Sequence, residues 1–239
     1  MDEFDRGRED SETVTSPRIQ VSTIGAAWLA ISAYILDRGV ESHYDALPIR
    51  EVMLATLVVT QPSSSDDVVH RYADAARLAW MHENFTRFDR VTALGDADSY
   101  ATRLRDYDHS GRDQIQWVIE RLRTDPLTRS ATITTFQPLT DTTYIPCVSL
   151  LDFYLTDGAL HLASYAHSID FGAKGYGNLV ELASLQEEVS GALACSVGTL
   201  NMTIKSARVY ESDVAYMSDV LSAQRNLVGA SGAIASVLG

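Results

Sequence analysis

Apolar residues recur at every third or fourth position from 24 to 38, and the run stops before Gly39; this spacing predicts a helix with a glycine stop. Residues 50–60 (REVMLATLVVT) are dense in Val, Leu and Thr and predict a strand. A Pro- and Ser-containing loop follows at 61–67, and a helical pattern returns over 68–85. Residues 113–124 (DQIQWVIERLRT) carry the most amphipathic pattern in the chain, a helix closed by Asp125-Pro126. Over 131–136, Thr alternates with apolar residues, as in a half-exposed strand.

The pattern then changes period. Residues 147–155 (CVSLLDFYL), the turn Thr156-Asp157-Gly158 and residues 159–167 form a hairpin signal. A long helix is predicted over 178–194, a strand over 199–210 and a helix over 213–227. There is no internal repeat and no linker. Residues 1–18 predict a disordered acidic tail, and 19–239 one α+β domain, its largely antiparallel sheet flanked by helices.

The formal charge of −13 changes the list of partners. A nucleic acid polymer needs a basic face, which this balance argues against. A small anion needs only a few Arg residues in one pocket. The acidic first residues lack the basic start and apolar stretch of a signal peptide, and no apolar run reaches spanning length. The expectation is a cytoplasmic protein with no membrane partner. Lys174 and Lys205 are the only lysines, a bias that points to a high-GC or halophilic host.

The two cysteines, Cys147 and Cys195, form neither a disulfide framework nor a CxxC metal site, and the His residues show no metal spacing, so no metal is expected. No dinucleotide, Walker, HExxH or GxSxG pattern occurs. Gly172–Asn178 (GAKGYGN) is glycine-rich but follows a hairpin rather than a parallel strand, a weak phosphate-loop signal. Cys195 ends an amphipathic helix and reads as structural. Cys147 follows Pro146 at the start of a strand; composition alone favours a buried small apolar residue there.

From residue 100 to 210 the chain resembles the thymidylate synthase family. The carrying residues are Pro146-Cys147, Asp157-Gly158, Tyr165-Ala166-His167-Ser168-Ile169-Asp170, Asn178 and Arg208-Val209-Tyr210, with spacings that agree without a gap. Upstream, Tyr100-Ala101-Thr102-Arg103-Leu104-Arg105, Asp113-Gln114 and Asp125-Pro126-Leu127-Thr128-Arg129 resemble further family segments. The resemblance implies the family's fold and a reaction at C5 of a pyrimidine nucleotide. It makes Cys147 the nucleophile, whose thiolate adds to C6 and turns C5 into an enolate carbon. Arg129 and Arg105 become sources of positive charge near that thiol.

By the same resemblance Asn178 reads the base, its amide matching the O4 and N3–H edge of uracil; as the first residue of an apolar helix it would also serve as an N-cap. Ser168 and Arg129 resemble phosphate ligands, the Arg reaching across the interface of a homodimer. Tyr210 resembles a sugar contact, and Asp170 a contact to the pterin of 5,10-methylenetetrahydrofolate. A Glu on a helix manages protons; Glu83 in WMHENF is the nearest match, with Glu51 its rival.

The departures fall at the site. Val148 stands where the family has His, His167 where it has a phosphate-binding Arg, and Arg208 where it has the His that holds the sugar with Tyr210. Ser130 replaces an Arg, Asp152 a Gln, and Lys174 the glycine over which the folate lies. The C-terminal segment that closes over the folate is not recognisable. His167, Arg208 and Arg105 are therefore counted with the substrate-binding residues of an altered site. The expected reaction is C5 one-carbon transfer, hydroxymethylation before methylation, with a place in nucleoside-antibiotic formation suggested by the Arg-rich composition. The alternatives are a folate-independent reaction at C5 and a non-catalytic nucleotide-binding homologue.

Overall fold

The computed structural model describes residues 16–142 and 144–237, with side chains up to residue 225. Most of the expected N-terminal tail lies outside the described residues; its last residue, Arg18, already begins a strand. The elements are β1 (Arg18–Val21), α1 (Ile24–Arg38), β2 (Val40–Tyr44), β3 (Leu47–Val59), α2 (Asp67–Tyr72), α3 (Ala75–Thr86), β4 (Arg90–Val91), β5 (Ala97–Asp98), α4 (Tyr100–Arg105), α5 (Gln114–Thr124), β6 (Thr132–Thr134), β7 (Val148–Thr156), β8 (Ala159–Asp170), α6 (Gly175–Leu193), β9 (Ser196–Tyr210) and α7 (Val214–Val237).

The main sheet runs β1-β3-β9-β8-β7-β6, with β2 beside the first half of β3. Most pairs are antiparallel, but β1 with β3 and β8 with β9 are parallel. The second parallel pair organises the molecule. It needs a crossover, which α6 supplies, and the crossover starts at the edge where β8 ends. Because β9 runs parallel to β8, its end reaches the same edge; β7 runs opposite, so its start does too. Ile49 near the start of β3 pairs with Tyr210, bringing the β2–β3 turn to that edge as well. The turn has left-handed φ at both Asp45 (49°) and Ala46 (62°), the conformation of a tight two-residue hairpin.

The core lies between the helices and one sheet face. Trp28, Ile31 and Ile35 of α1 are fully buried, and the Trp28 indole donates to the Phe171 carbonyl. Helix α6 is buried over most of its length, which needs close neighbours. The glycines of GAKGYGN meet that need: a Cβ on Gly177 would stand 2.9 Å from the Met81 Cβ, and one on Gly175 would stand 2.6 Å from the Phe171 ring. They let α3 and the end of β8 approach the helix. On the opposite sheet face Met53, Leu150 and Tyr165 are exposed.

One expected helix divides. Residues 68–85 fall into α2 and α3 because the Asp74 carboxylate accepts from the Ala76 and Arg77 amides and starts a new helix. Helix α6 begins three residues earlier than its pattern suggests. Its N-cap position is Lys174, so Asn178 lies within the first turns and is not the cap.

Candidate active site

At the shared sheet edge lies a cavity of about 630 Å³ whose wall includes Cys147, His167, Ser168, Asp170, Asn178, Arg208 and Tyr210. Each comes from an end that the topology delivers: Cys147 immediately before β7, His167, Ser168 and Asp170 at the end of β8, Arg208 and Tyr210 at the end of β9, and Asn178 at the start of α6. Seven of the residues expected from sequence are thus brought together.

Cys147 is held through its backbone. Its carbonyl accepts from the His167 amide at 3.0 Å, and the next amide, Val148, donates to the Tyr100 hydroxyl at 2.9 Å. The Tyr144 hydroxyl lies 3.8 Å from the sulfur. Burial pushes the thiol above its ordinary pKa; the Tyr144 hydrogen bond, Arg208 and Lys174 oppose this, and Asp170 adds to it. In this form of the site the thiol is the resting state, and positive charge nearby favours its ionisation.

Asp170 is pushed up to about 6, chiefly by burial and also by Asp213; the Gly172 amide, Arg208 and Lys174 hold it down. Asp213 is itself paired with Arg77 at 3.0 Å. Above about pH 6 the Asp170 charge is present and opposes ionisation of Cys147. Asp170→Asn is therefore expected to shift the pH midpoint of Cys147 alkylation by iodoacetamide downward. Peptide-resolved mass spectrometry reads this, and an unchanged or raised midpoint would show that the two groups do not sense each other.

Asn178 is 3% exposed, and its amide nitrogen lies 3.6 Å from the Met81 sulfur, a weak acceptor. His167 is held below its ordinary pKa by burial and by Lys205 and Arg208, so it is neutral at pH 7. Its Nδ1 lies 3.4 Å from the Ser149 hydroxyl. The Arg208 guanidinium donates to the Ser168 hydroxyl and stacks on Tyr44, 3.9 Å from the ring centroid. The Lys174 ammonium sits 4.9 Å over the Trp80 ring.

The other expected residues lie elsewhere. Glu83 is exposed, 3.5 Å from Arg87, and lines an adjoining cleft on the far side of Trp80 and Asn84. Helix α3 instead offers Trp80, Met81 and Asn84 to the cavity, and Asn84 accepts from the Tyr100 amide. Glu51 faces Ser206, accepting its hydroxyl at 2.6 Å. Arg105 is engaged by Glu188 at 2.6 Å and Asp113 at 3.8 Å. Arg129 donates to the Leu127 carbonyl on the surface loop after α5 and does not line this cavity within its own chain.

Several wall residues carry no sequence signal of their own. Tyr44 arrives through the β2–β3 hairpin and Trp80 through the phase of α3. Tyr144, three residues before Cys147, is the one that local spacing makes visible. Among the described residues no group of three or more His, Cys, Asp or Glu side chains is placed to hold a metal ion, and no helix is long and apolar enough to cross a membrane.

Comparison with known proteins agrees with this geometry. The family model for thymidylate synthase matches residues 64–229. A protein of Methanosarcina barkeri named "Putative thymidylate synthase" is 30% identical over 203 residues, covering 82% of this chain and 90% of its own. A protein of Methanosarcina acetivorans with the same name is 31% identical over 205 residues, with the same coverage. The deoxyuridylate hydroxymethyltransferase of Bacillus phage SP01 is 32% identical over 128 residues, 48% of this chain and 33% of its own. The matched region contains Cys147 and the rest of the cavity wall except the Tyr44 hairpin, and the chain belongs to the thymidylate synthase family.

Proposed function

We propose that this protein transfers a one-carbon unit to C5 of a pyrimidine nucleoside monophosphate, with hydroxymethylation as its reaction. The observation that carries the reading is the convergence of one thiol, one buried amide and a cationic wall in a single cavity. The Cys147 thiolate adds to C6 of the ring, the C6–S bond forms, and the electron pair moves to make C5 nucleophilic. After the new C5–C bond forms, the C5 proton leaves as the carbon parts from its donor, water adds to the exocyclic methylene so formed, and the C6–S bond breaks, restoring C5=C6 and returning the thiolate. Asn178 presents both a donor and an acceptor, which suits uracil better than cytosine. Ser168, His167, Arg208 and Tyr210 take the sugar and phosphate. With α3 offering no carboxylate to the cavity, Asp170 is the acidic group in the wall whose pKa, about 6, suits proton transfer near neutrality.

The family's one-carbon donor is 5,10-methylenetetrahydrofolate, and the wall fits such a group. Asp170 presents a carboxyl to a ring amide, Trp80 an aromatic face, and Lys174 a cation to a carboxylate tail. When bound, the folate supplies carbon at the oxidation level of formaldehyde. The protein is further proposed to be a homodimer, supported by the exposed apolar residues Met53, Leu150 and Tyr165 on the outer sheet face; Arg129 of a second copy would then be available to the site. Neither the cavity nor the relatives bear on the expected place in antibiotic formation.

The test is a panel of C5-tritiated dUMP, UMP, dCMP and CMP, each with and without methylenetetrahydrofolate. Tritium release that needs both a uracil nucleotide and the folate is expected. Release without folate would favour the folate-independent alternative. No release from any nucleotide would leave only a binding role.

A further inference from the structure

Arg208 is an unusual side chain. It is 7% exposed, yet among the described residues no carboxylate lies within 4 Å of its nitrogens, and its Nε has no hydrogen-bond partner. Its guanidinium donates to the Ser168 hydroxyl, and a side-chain hydrogen bond also links it to Tyr210. Buried guanidinium groups are ordinarily neutralised by a carboxylate, as Arg103 is by Asp141 at 2.7 Å in this same molecule. Arg208 instead has aromatic rings: Tyr44 at 3.9 Å and Tyr210 at 5.4 Å from the guanidinium carbon. Rings hold a guanidinium by its faces and leave its donating edge free. That edge belongs to the wall of the Cys147 cavity.

We infer that Arg208, clamped by Tyr44, is the cavity's anion anchor, taking a substrate phosphomonoester together with Ser168 from within a single chain. This rests on the nucleotide reading above and adds which residue meets the charge. His167, at the position where a family Arg would stand, is held below its ordinary pKa by burial and by Lys205 and Arg208, which disfavours a second charge there. Lys174, the other cation in the wall, lies over Trp80 at the start of α6. Ser168 and Arg208 sit on neighbouring parallel strands, Ser168 beside Ser206 and Asp170 beside Arg208, so the guanidinium reaches back two residue pairs, to the next position on the same sheet face, to meet the hydroxyl. A phosphate oxygen has room for both donors: the Ser168 hydroxyl and the fork of Arg208. Tyr44 is a positioning residue, 42% exposed on the hairpin, so it can be changed without opening the core.

The test separates the anion site from the nucleotide. Cys147 alkylation is followed, peptide by peptide, with anionic iodoacetate and neutral iodoacetamide, with and without inorganic phosphate. In the wild type, iodoacetate is expected to gain relative to iodoacetamide, and phosphate to protect against it. In Arg208→Gln both effects should fall about tenfold or more, the scale of a charge-assisted pair. Tyr44→Phe should keep them and Tyr44→Ala should weaken them. Tyr44→Ala also guards against a misfolded Arg208→Gln, and Cys195→Ser serves as control. If Arg208→Gln and Tyr44→Ala both retain the wild-type preference and protection, the inference is overturned.

Competition by 2′-deoxyuridine, its 5′-phosphate and its 3′-phosphate then locates the phosphate. A preference for either phosphate over the nucleoside that disappears in Arg208→Gln supports the inference, and indifference to phosphate in the wild type overturns it. Phosphate protection that depends on Arg208, with none of the nucleosides or nucleotides of the panel bound, would sustain the anion site and reject the nucleotide reading.

Discussion

Cys147→Ser is expected to abolish release of tritium from C5 of the nucleotide while leaving the fold intact. The two halves of this expectation have separate physical grounds. Activity is lost because a serine hydroxyl is far less acidic than a thiol, and the site offers it no strong base: Glu83 faces an adjoining cleft and His167 already lies beside the Ser149 hydroxyl. Loss of a nucleophile that acts with its surroundings as a unit costs about 10⁴-fold or more. The fold is kept because the only side-chain hydrogen bond mapped at the sulfur is the long one to Tyr144, while the loop is fixed by backbone bonds to His167 and Tyr100. The change in stability should stay within about 1 kcal/mol, as for a nearly isosteric substitution.

Cys195→Ser provides the contrast. Its sulfur lies 3.7 Å from the Ser190 carbonyl just past the end of α6, on the opposite end of that helix from the cavity, and most activity should remain. Tritium release and a thermal melt on both variants read the result. Normal turnover by Cys147→Ser would rule out a covalent role for this residue. Loss of activity with loss of fold would make it a packing residue.

The parts of the fold that were legible are those fixed by local chemistry. The helix expected at 24–38 is α1 residue for residue, because its apolar spacing and the Gly39 stop are both local. The hairpin at 156–159 follows from Asp157 and Gly158, whose φ values of 50° and 75° are the left-handed ones such a turn requires. Strand β2 was not legible: its residues are mostly exposed, with no alternation to mark a buried face, and its pairing with β3 is a tertiary fact. The division of 68–85 at Asp74 was in principle visible as a cap in mid-pattern, but apolar spacing runs across it.

The site shows the same division. Cys147, Asn178 and the end of β8 were legible because spacings across one hairpin and one crossover are short and carry family motifs. Tyr44 and Trp80 were not, because they reach the cavity only through the β2–β3 edge and the packing of α3 on α6. Glu83 shows how a rotation along a helix decides a role. Trp80, Met81 and Asn84 occupy one arc of α3, and Glu83 lies beyond Trp80 on the side away from Met81, beside Arg87. The buried Met81 anchors that phase by packing against Gly177, where a Cβ would stand 2.9 Å from the Met81 Cβ.

The product is expected to gain the elements of formaldehyde, CH2O, with no dihydrofolate formed. While Cys147 is still joined to C6, loss of the C5 proton and of the carbon's bond to its donor leaves an exocyclic methylene on C5 that either water or a hydride can take. Hydride delivery demands a donor ring packed close and a dry site, since it must compete with a solvent present at far higher concentration. The wall near Asp170 is not built for dryness. Lys174 projects an ammonium beside Trp80 at the start of α6, and Asp45, Asn84, Asp170 and Tyr44 add further polar groups to which water can hydrogen-bond. Water then adds its oxygen to the methylene carbon and gives up a proton, and the electron pair returned to C5 re-forms C5=C6 as the C6–S bond breaks, leaving a hydroxymethyl group; this route needs no hydride from the donor. Mass spectrometry of the nucleotide, run beside the absorbance of dihydrofolate, decides between the two outcomes. A gain of CH2 with one dihydrofolate per turnover would mean that the cavity closes far more tightly than its polar wall implies, and that the protein methylates. A gain of CH2O with free tetrahydrofolate would mean that the wall around Lys174 has settled the fate of the methylene by letting water reach it first.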